Sequence, residues 1–182
     1  MDLLLQRDGL VLRPPRRSDA AAMVEAVRES QPEIGRYLVW ATADYGIKDA
    51  EHWCRTATAS AASPGGPTAL HVFDEAGGLL GGVGLHAQDL RNGKVELGYW
   101  TRASCRGQAV AVRAARLMSG CAFDAMGFSR VELIIATDNV ASMRVAEKLG
   151  AEPEATLKDR LRLDHGLVDA YLYALLKRTI PR

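Results

Sequence analysis

The chain of 182 residues is short of several things. It has three cysteines, Cys54, Cys105 and Cys121, odd in number and far apart. They form no disulfide framework and no metal-ligand spacing, and they suit a reducing compartment, so the cytoplasm is the expected location. There is no long apolar run. The N-terminal MDLLLQRDGL sets Asp2 and Asp8 around a very short one, which fits neither a signal peptide nor a membrane span. There is no excess of charge either: 23 Lys and Arg against 22 Asp and Glu leave a formal net charge of +1. Nothing in that balance asks for nucleic acid or an anionic membrane. Internal repeats and low-complexity tracts are missing. So are two common phosphate signatures, the GxxxxGK[ST] of a P-loop and the GxGxxG of a dinucleotide fold. What remains is 48% apolar and 25% charged, the profile of a soluble globular chain. Residues 1–182 fit a single domain with a proper core.

Taken in order, two apolar runs flank a charged turn at Arg7-Asp8-Gly9, and Leu10 to Arg13 reads as a first strand stopped by Pro14-Pro15. Ser18 or Asp19 caps a helix running to about Glu29, where Pro32 interrupts. Residues 34–40 form an apolar connector, and a second helix begins near Lys48-Asp49 and passes through Trp53 and Ala57. Residues 60–67, SAASPGGP, are the clearest loop. Residues 70–74 and 79–86 flank Glu75-Ala76-Gly77-Gly78 as a hairpin. Residues 131–136 are apolar enough for a central buried strand. Asn139 opens a helix that Gly150 closes, and residues 154–162 and 168–177 read as a closing hairpin. This order gives a mixed α/β fold with antiparallel and parallel pairing.

The stretch from Val95 to Phe128 carries the chemistry. VELGYW is a strand, residues 101–108 a polar turn, and from Ala109 the apolar residues Val110, Ala114, Leu117, Met118, Cys121 and Ala122 keep helical spacing. A strand, a Gly-containing turn and a helix leave unpaired N–H groups at a positive helix end, with Arg106 at the lip. That arrangement suits a phosphate-bearing ligand.

The turn Arg106-Gly107-Gln108-Ala109-Val110-Ala111 resembles the acyl-CoA loop of the GNAT superfamily of N-acetyltransferases, Q/R-x-x-G-x-G/A. The preceding ELGYW is similar to the E-[IL]-G-Y-W strand of the RimJ/RimL ribosomal-protein N-acetyltransferase branch. Residues 139–151, NVASMRVAEKLGA, resemble that family's N-x-x-S-x-x-[AL]-x-[EK]-x-x-G-[FA] segment. The resemblance implies a GNAT-type fold, a central mixed and mostly antiparallel sheet flanked by helices. It departs from the pattern at Ala109, where the family has its central Gly. An alanine is tolerable there in ordinary helical dihedrals and harmful where a positive φ is needed.

From the resemblance follow expectations for the site. Acetyl-CoA would be the co-substrate, with no metal and no covalent intermediate. Its pantetheine would pair with Tyr99, Trp100 and Thr101 like an added strand, and a backbone N–H near Tyr99 would serve the oxyanion. Its pyrophosphate would lie on the N–H groups of Gly107, Gln108, Ala109, Val110, Ala111 and Val112 beside Arg106. Asn139 would contact the pantetheine or order a water near it, and Ser142 would give a hydrogen bond or proton to the departing thiolate. Glu96 would be the general base, directly or through water. Asp138 is read as a cap, Asp169 as a hairpin residue, and His71, His86 and His165 as structural or exposed. His52 is a weak candidate for the acceptor pocket. Tyr37, Trp40 and Trp53 are read as core anchors before acceptor-pocket walls.

By the same resemblance the expected acceptor is a protein N-terminal α-amine, such as that of a ribosomal protein, and a homodimer is the expected assembly. Two alternatives stand beside this. One keeps the fold and acetyl-CoA but takes a small amine: a polyamine, an aminoglycoside or an amino acid. The other is a non-catalytic CoA-binding or interaction protein.

Overall fold

A computed structural model describes residues 3–61 and 68–177. One eight-stranded sheet runs through it in the order β1-β2-β3-β4-β5-β6-β8-β7. The strands are β1 (Leu5–Arg7), β2 (Leu10–Arg13), β3 (Thr68–Asp74), β4 (Leu79–Asp89), β5 (Lys94–Thr101), β6 (Arg130–Ala136), β7 (Glu152–Leu163) and β8 (Gly166–Leu176). The helices are α1 (Ala20–Ile34), α2 (Ile47–Ala61), α3 (Val110–Asp124) and α4 (Val140–Leu149). All neighbouring strands are antiparallel except β5 and β6.

The alternation along each strand sorts the core into two layers. Leu10, Leu12, Val72, Leu85, Val95 and Leu97 turn to one face and pack on Val110, Ala114, Met118 and Ala122 of α3 and on Ala146 of α4. Phe73 and Leu79 turn to the other face, against Met23, Val27, Ala50 and Cys54 of α1 and α2, with Trp100 beside them. The sheet is therefore sandwiched, and β5 has a different helix pair on each side.

Three expectations need correction. Leu5–Arg7 is a strand, closed on β2 by an Asp8-Gly9 turn with φ of +52° and +75°. Three residues carry too little period for sequence to show it, although Asp-Gly is the hairpin signature. Helix α1 does not stop before Pro32 but runs through it to Ile34. Proline's φ is helical, and so close to the C-terminus it removes only one bond of the last turns. Finally, α2 continues to Ala61. The expected loop thus loses its first two residues to the helix, and 62–67 lie outside the described residues.

Candidate active site

The parallel pairing of β5 with β6 covers three residue pairs, Lys94 with Arg130, Val95 with Val131 and Glu96 with Glu132, and stops there. Both strands continue, β5 to Thr101 and β6 to Ala136, so the sheet opens in its middle. The polar backbone groups of β5 beyond Glu96 face the gap with no partner from β6. A cleft of about 600 Å³ lies along this opening. Tyr99, Trp100 and Thr101 of β5, Arg106, Gly107, Ala109, Val110, Ala111 and Val112 of the following turn and helix, and Asn139 and Ser142 line it. Glu33, Tyr37, Cys105, Arg144 and Lys148 join them. Of the catalytic and cofactor-binding residues expected from the sequence, Gln108 and Glu96 are not among the lining, and neither is His86.

The turn between β5 and α3 owes its shape to α1. Arg102 donates Nε to Glu29 Oε2 at 2.6 Å and also pairs with Glu25. Glu29 Oε1 accepts the Ser104 N–H at 2.6 Å, and the buried Ser30 Oγ accepts the Ala103 N–H at 2.8 Å. Held first by the Ser104 bonds and also by Arg102, the Glu29 carboxyl drops to about 2. Further along, Arg106 reaches Glu33 at 3.4 Å. Glu25, Glu29 and Glu33 recur every four residues, so the sequence did carry this acidic stripe on α1. Its partner could not be read, because the Arg102 and Glu29 pairing spans 73 residues.

Two left-handed residues shape the loop itself, Gly107 at φ +75° and Ala109 at φ +56°. Ala109 is the N-cap of α3. The ordinary helical geometry that would make an alanine harmless there is thus not what it adopts. Its methyl group sits in a conformation that costs an L-residue about 1–2 kcal/mol.

On the opposite wall, Asn139 caps α4, its Oδ1 accepting the Ser142 N–H at 3.1 Å. Asp138, read as a cap, instead pairs with Arg36, and its carbonyl accepts from Tyr37 Oη at 3.3 Å. This ties the end of α1 to the start of α4 across the cleft. Tyr99 Oη lies 2.8 Å from Ser142 Oγ and 3.2 Å from Ser142 O. Burial pushes the Tyr99 phenol up to about 12, against the opposing pull of Ser142. Sequence reading assigned Tyr99 only a backbone role and missed its hydroxyl.

Glu96 stands apart. Its Oε1 accepts from Arg160 at 3.0 Å and its Oε2 lies 3.5 Å from His86 Nε2. These contacts, the His86 contact foremost, hold the carboxyl below its ordinary range in spite of partial burial. Among the other candidates, His71 is buried against Asp19, which Arg13 clasps with two 2.8 Å bonds. Asp169 pairs with Lys158 within the closing hairpin, and His52 faces Arg55. Trp40 and Trp53 are not core anchors: they are 39% and 41% exposed and stack at 6.5 Å, with Trp100 and Tyr45 edge-on to Trp40. Among the described residues, no cluster of three His, Cys, Asp or Glu is placed to hold a metal ion. No helix there is long and apolar enough to cross a membrane.

The family described as "Acetyltransferase (GNAT) domain" matches residues 9–152. The chain belongs to the GNAT acetyltransferases. Among similar GNAT proteins is the "Putative ribosomal N-acetyltransferase YdaF" of Bacillus subtilis (strain 168), 29% identical over 176 residues, covering 94% of this chain and 93% of that one. Among solved structures, the ribosomal L7/L12 alpha-N-protein acetyltransferase RimL, in complex with coenzyme A, superposes with a TM-score of 0.87 at 18% identity, covering 96% of this chain and 98% of RimL. The microcin C7 self-immunity acetyltransferase MccE, in complex with acetyl-CoA and AMP, gives 0.87 at 18% identity over 93% of each chain. At such identities these structures speak for the GNAT fold alone.

Proposed function

We propose that this GNAT protein transfers the acetyl group of acetyl-CoA to the α-amine at a protein N-terminus. The observation that carries the reading is the opening of the sheet after Glu96, with the Tyr99 and Ser142 hydroxyl pair on one wall and the α3 N-terminus at its mouth. The free backbone edge of β5 at Tyr99, Trp100 and Thr101 fits the amide groups of a pantetheine arm. The N–H groups of Gly107 to Val112, with Arg106, fit the pyrophosphate. Asn139 holds Ser142 in place, and Ser142 hydrogen-bonds the departing sulfur. A phenol at about 12 is a far weaker acid than a thiol, ordinarily about 8.5. Tyr99 therefore keeps its proton and orients Ser142, and the pair stabilises the thiolate by hydrogen bonding without protonating it. Glu96 takes part in relieving the acceptor amine of its proton, directly or through a neighbouring group.

The acceptor draws on likeness to proteins named for ribosomal substrates. A small-amine acceptor draws on a different observation, the exposed stack of Trp40 and Trp53 beside Trp100, a flat apolar surface suited to a flat small molecule. Acetyl-CoA with a panel of N-terminal peptides and free amines, read by released thiol, separates the two. Ser142→Ala should slow turnover about 10- to 100-fold, the worth of one hydrogen bond to a charged group. An undiminished rate would remove Ser142 from the mechanism.

A further inference from the structure

His86 on β4 stands directly across from Glu96 on β5, and Gly84 across from Gly98. The alternation that brings Trp100 to α1 and α2 puts Gly98 and Glu96 on that same face, with His86 beside them. How the imidazole lies is fixed by two contacts. Its Nε2 is 3.5 Å from Glu96 Oε2. A Cβ built on Gly98 would come within 3.3 Å of His86 Cε1 and 3.8 Å of His86 Nδ1. The ring therefore lies with Nε2 toward the carboxylate and its Cε1–Nδ1 edge beside Gly98, Cε1 the nearer, one residue from Tyr99. The missing side chain of Gly98 is what makes room for it. His86 is 51% exposed and Glu96 18%, so an incoming amine meets the imidazole before it meets the carboxylate.

We propose that His86 is the catalytic base of this transferase, taking the amine proton at Nδ1, and that Glu96 is the positioning carboxylate behind it. The proposal rests on the acetyl-transfer reading above and changes which atom meets the acceptor. Glu96 already serves Arg160 through its other oxygen, and with Lys94 nearby it is a weak base. Imidazole is the side chain whose chemistry suits proton exchange near neutral pH. With a proton on Nε2, toward Glu96, the imidazole carries its lone pair on Nδ1.

The step balances. The amine gives one proton to Nδ1 as its nitrogen bonds to the acetyl carbon. The C–S bond breaks, and its electron pair leaves on sulfur, which faces Ser142. The imidazolium, its charge set against Glu96, afterwards returns its proton to the thiolate or to solvent.

The test uses the intact chain, acetyl-CoA, and as probes peptides beginning with alanine or serine together with free amines. His86→Gln should lower kcat about 100- to 10,000-fold, the usual worth of a general base, with acetyl-CoA affinity by calorimetry unchanged. Glu96→Gln should cost less, and the double variant no more than His86→Gln alone, since the two act as one unit. Imidazole in the buffer should restore part of the activity of His86→Ala, which a merely structural histidine would not allow. Wild-type turnover in His86→Gln overturns the proposal. If Glu96→Gln is then dead, Glu96 is itself the base and the acetyl-transfer reading stands. No transfer to any probe amine would overturn both.

Discussion

Ala109 holds a left-handed conformation at φ +56° and ψ 19°, where glycine would be at ease. Removing its methyl should return about 1–2 kcal/mol of strain, less about 0.5–1 kcal/mol for the freer unfolded chain. Ala109→Gly is thus expected to raise Tm by up to about 6 °C and to leave acetyl-CoA affinity equal or tighter. A lower Tm in thermal unfolding would contradict the strain argument. Tyr99→Phe tests a neighbouring residue. It removes the hydroxyl that orients Ser142, so kcat should fall about tenfold, the worth of one hydrogen bond, while the KM for acetyl-CoA holds. A change confined to KM would mean that Tyr99 shapes binding and not the step at sulfur.

At the scale of elements, the turn from Arg102 to Arg106 depends on α1 more than on itself. Ser30 is buried, donates to Ala26 O and accepts from the Ala103 N–H. Ser30→Ala leaves that N–H without its partner and should cost about 1–3 kcal/mol, read in urea unfolding, together with weaker acetyl-CoA binding. Equal stability would show that water or another group takes over. The strand, turn and helix from Lys94 to Asp124 were legible in the sequence because period and turn chemistry are local. The same holds for the α4 cap at Asn139 and the left-handed Gly150. The stripe of Glu25, Glu29 and Glu33 was visible, but not that it faces Arg102 and Arg106, since such partners meet only once the sheet is ordered. His86 was read as a bystander for a similar reason. Its place depends on the register of β4 against β5, which the Gln88 to Lys94 connection does not declare. Trp40 and Trp53 were assigned to the core by residue type, whereas tertiary placement leaves them outside.

For the whole molecule, pH should act through carboxyls held low in the folded state. Glu29 falls from 4.5 to about 2. Asp19 is lowered from 3.8 because Arg13, His71 and Arg16 outweigh the burial that would raise it. A depressed carboxyl contributes stability that is fully present above its unfolded value and is lost as pH falls through the folded one. Stability should therefore vary little through these groups between about pH 7 and 5 and then decline below about pH 4.5. Melts at stepped pH check this, and stability holding flat to pH 2 would exclude the carboxyls as its source.

The two faces of β5 carry different groups. Tyr99 meets Ser142 on the α3 and α4 side, while His86 and Glu96 stand on the side of α1 and α2. Donor and acceptor would then occupy separate doorways and be present together at the moment of transfer. Initial-rate plots should show intersecting lines, the mark of a ternary complex, and not the parallel lines of a ping-pong cycle. Either product could leave without waiting for the other.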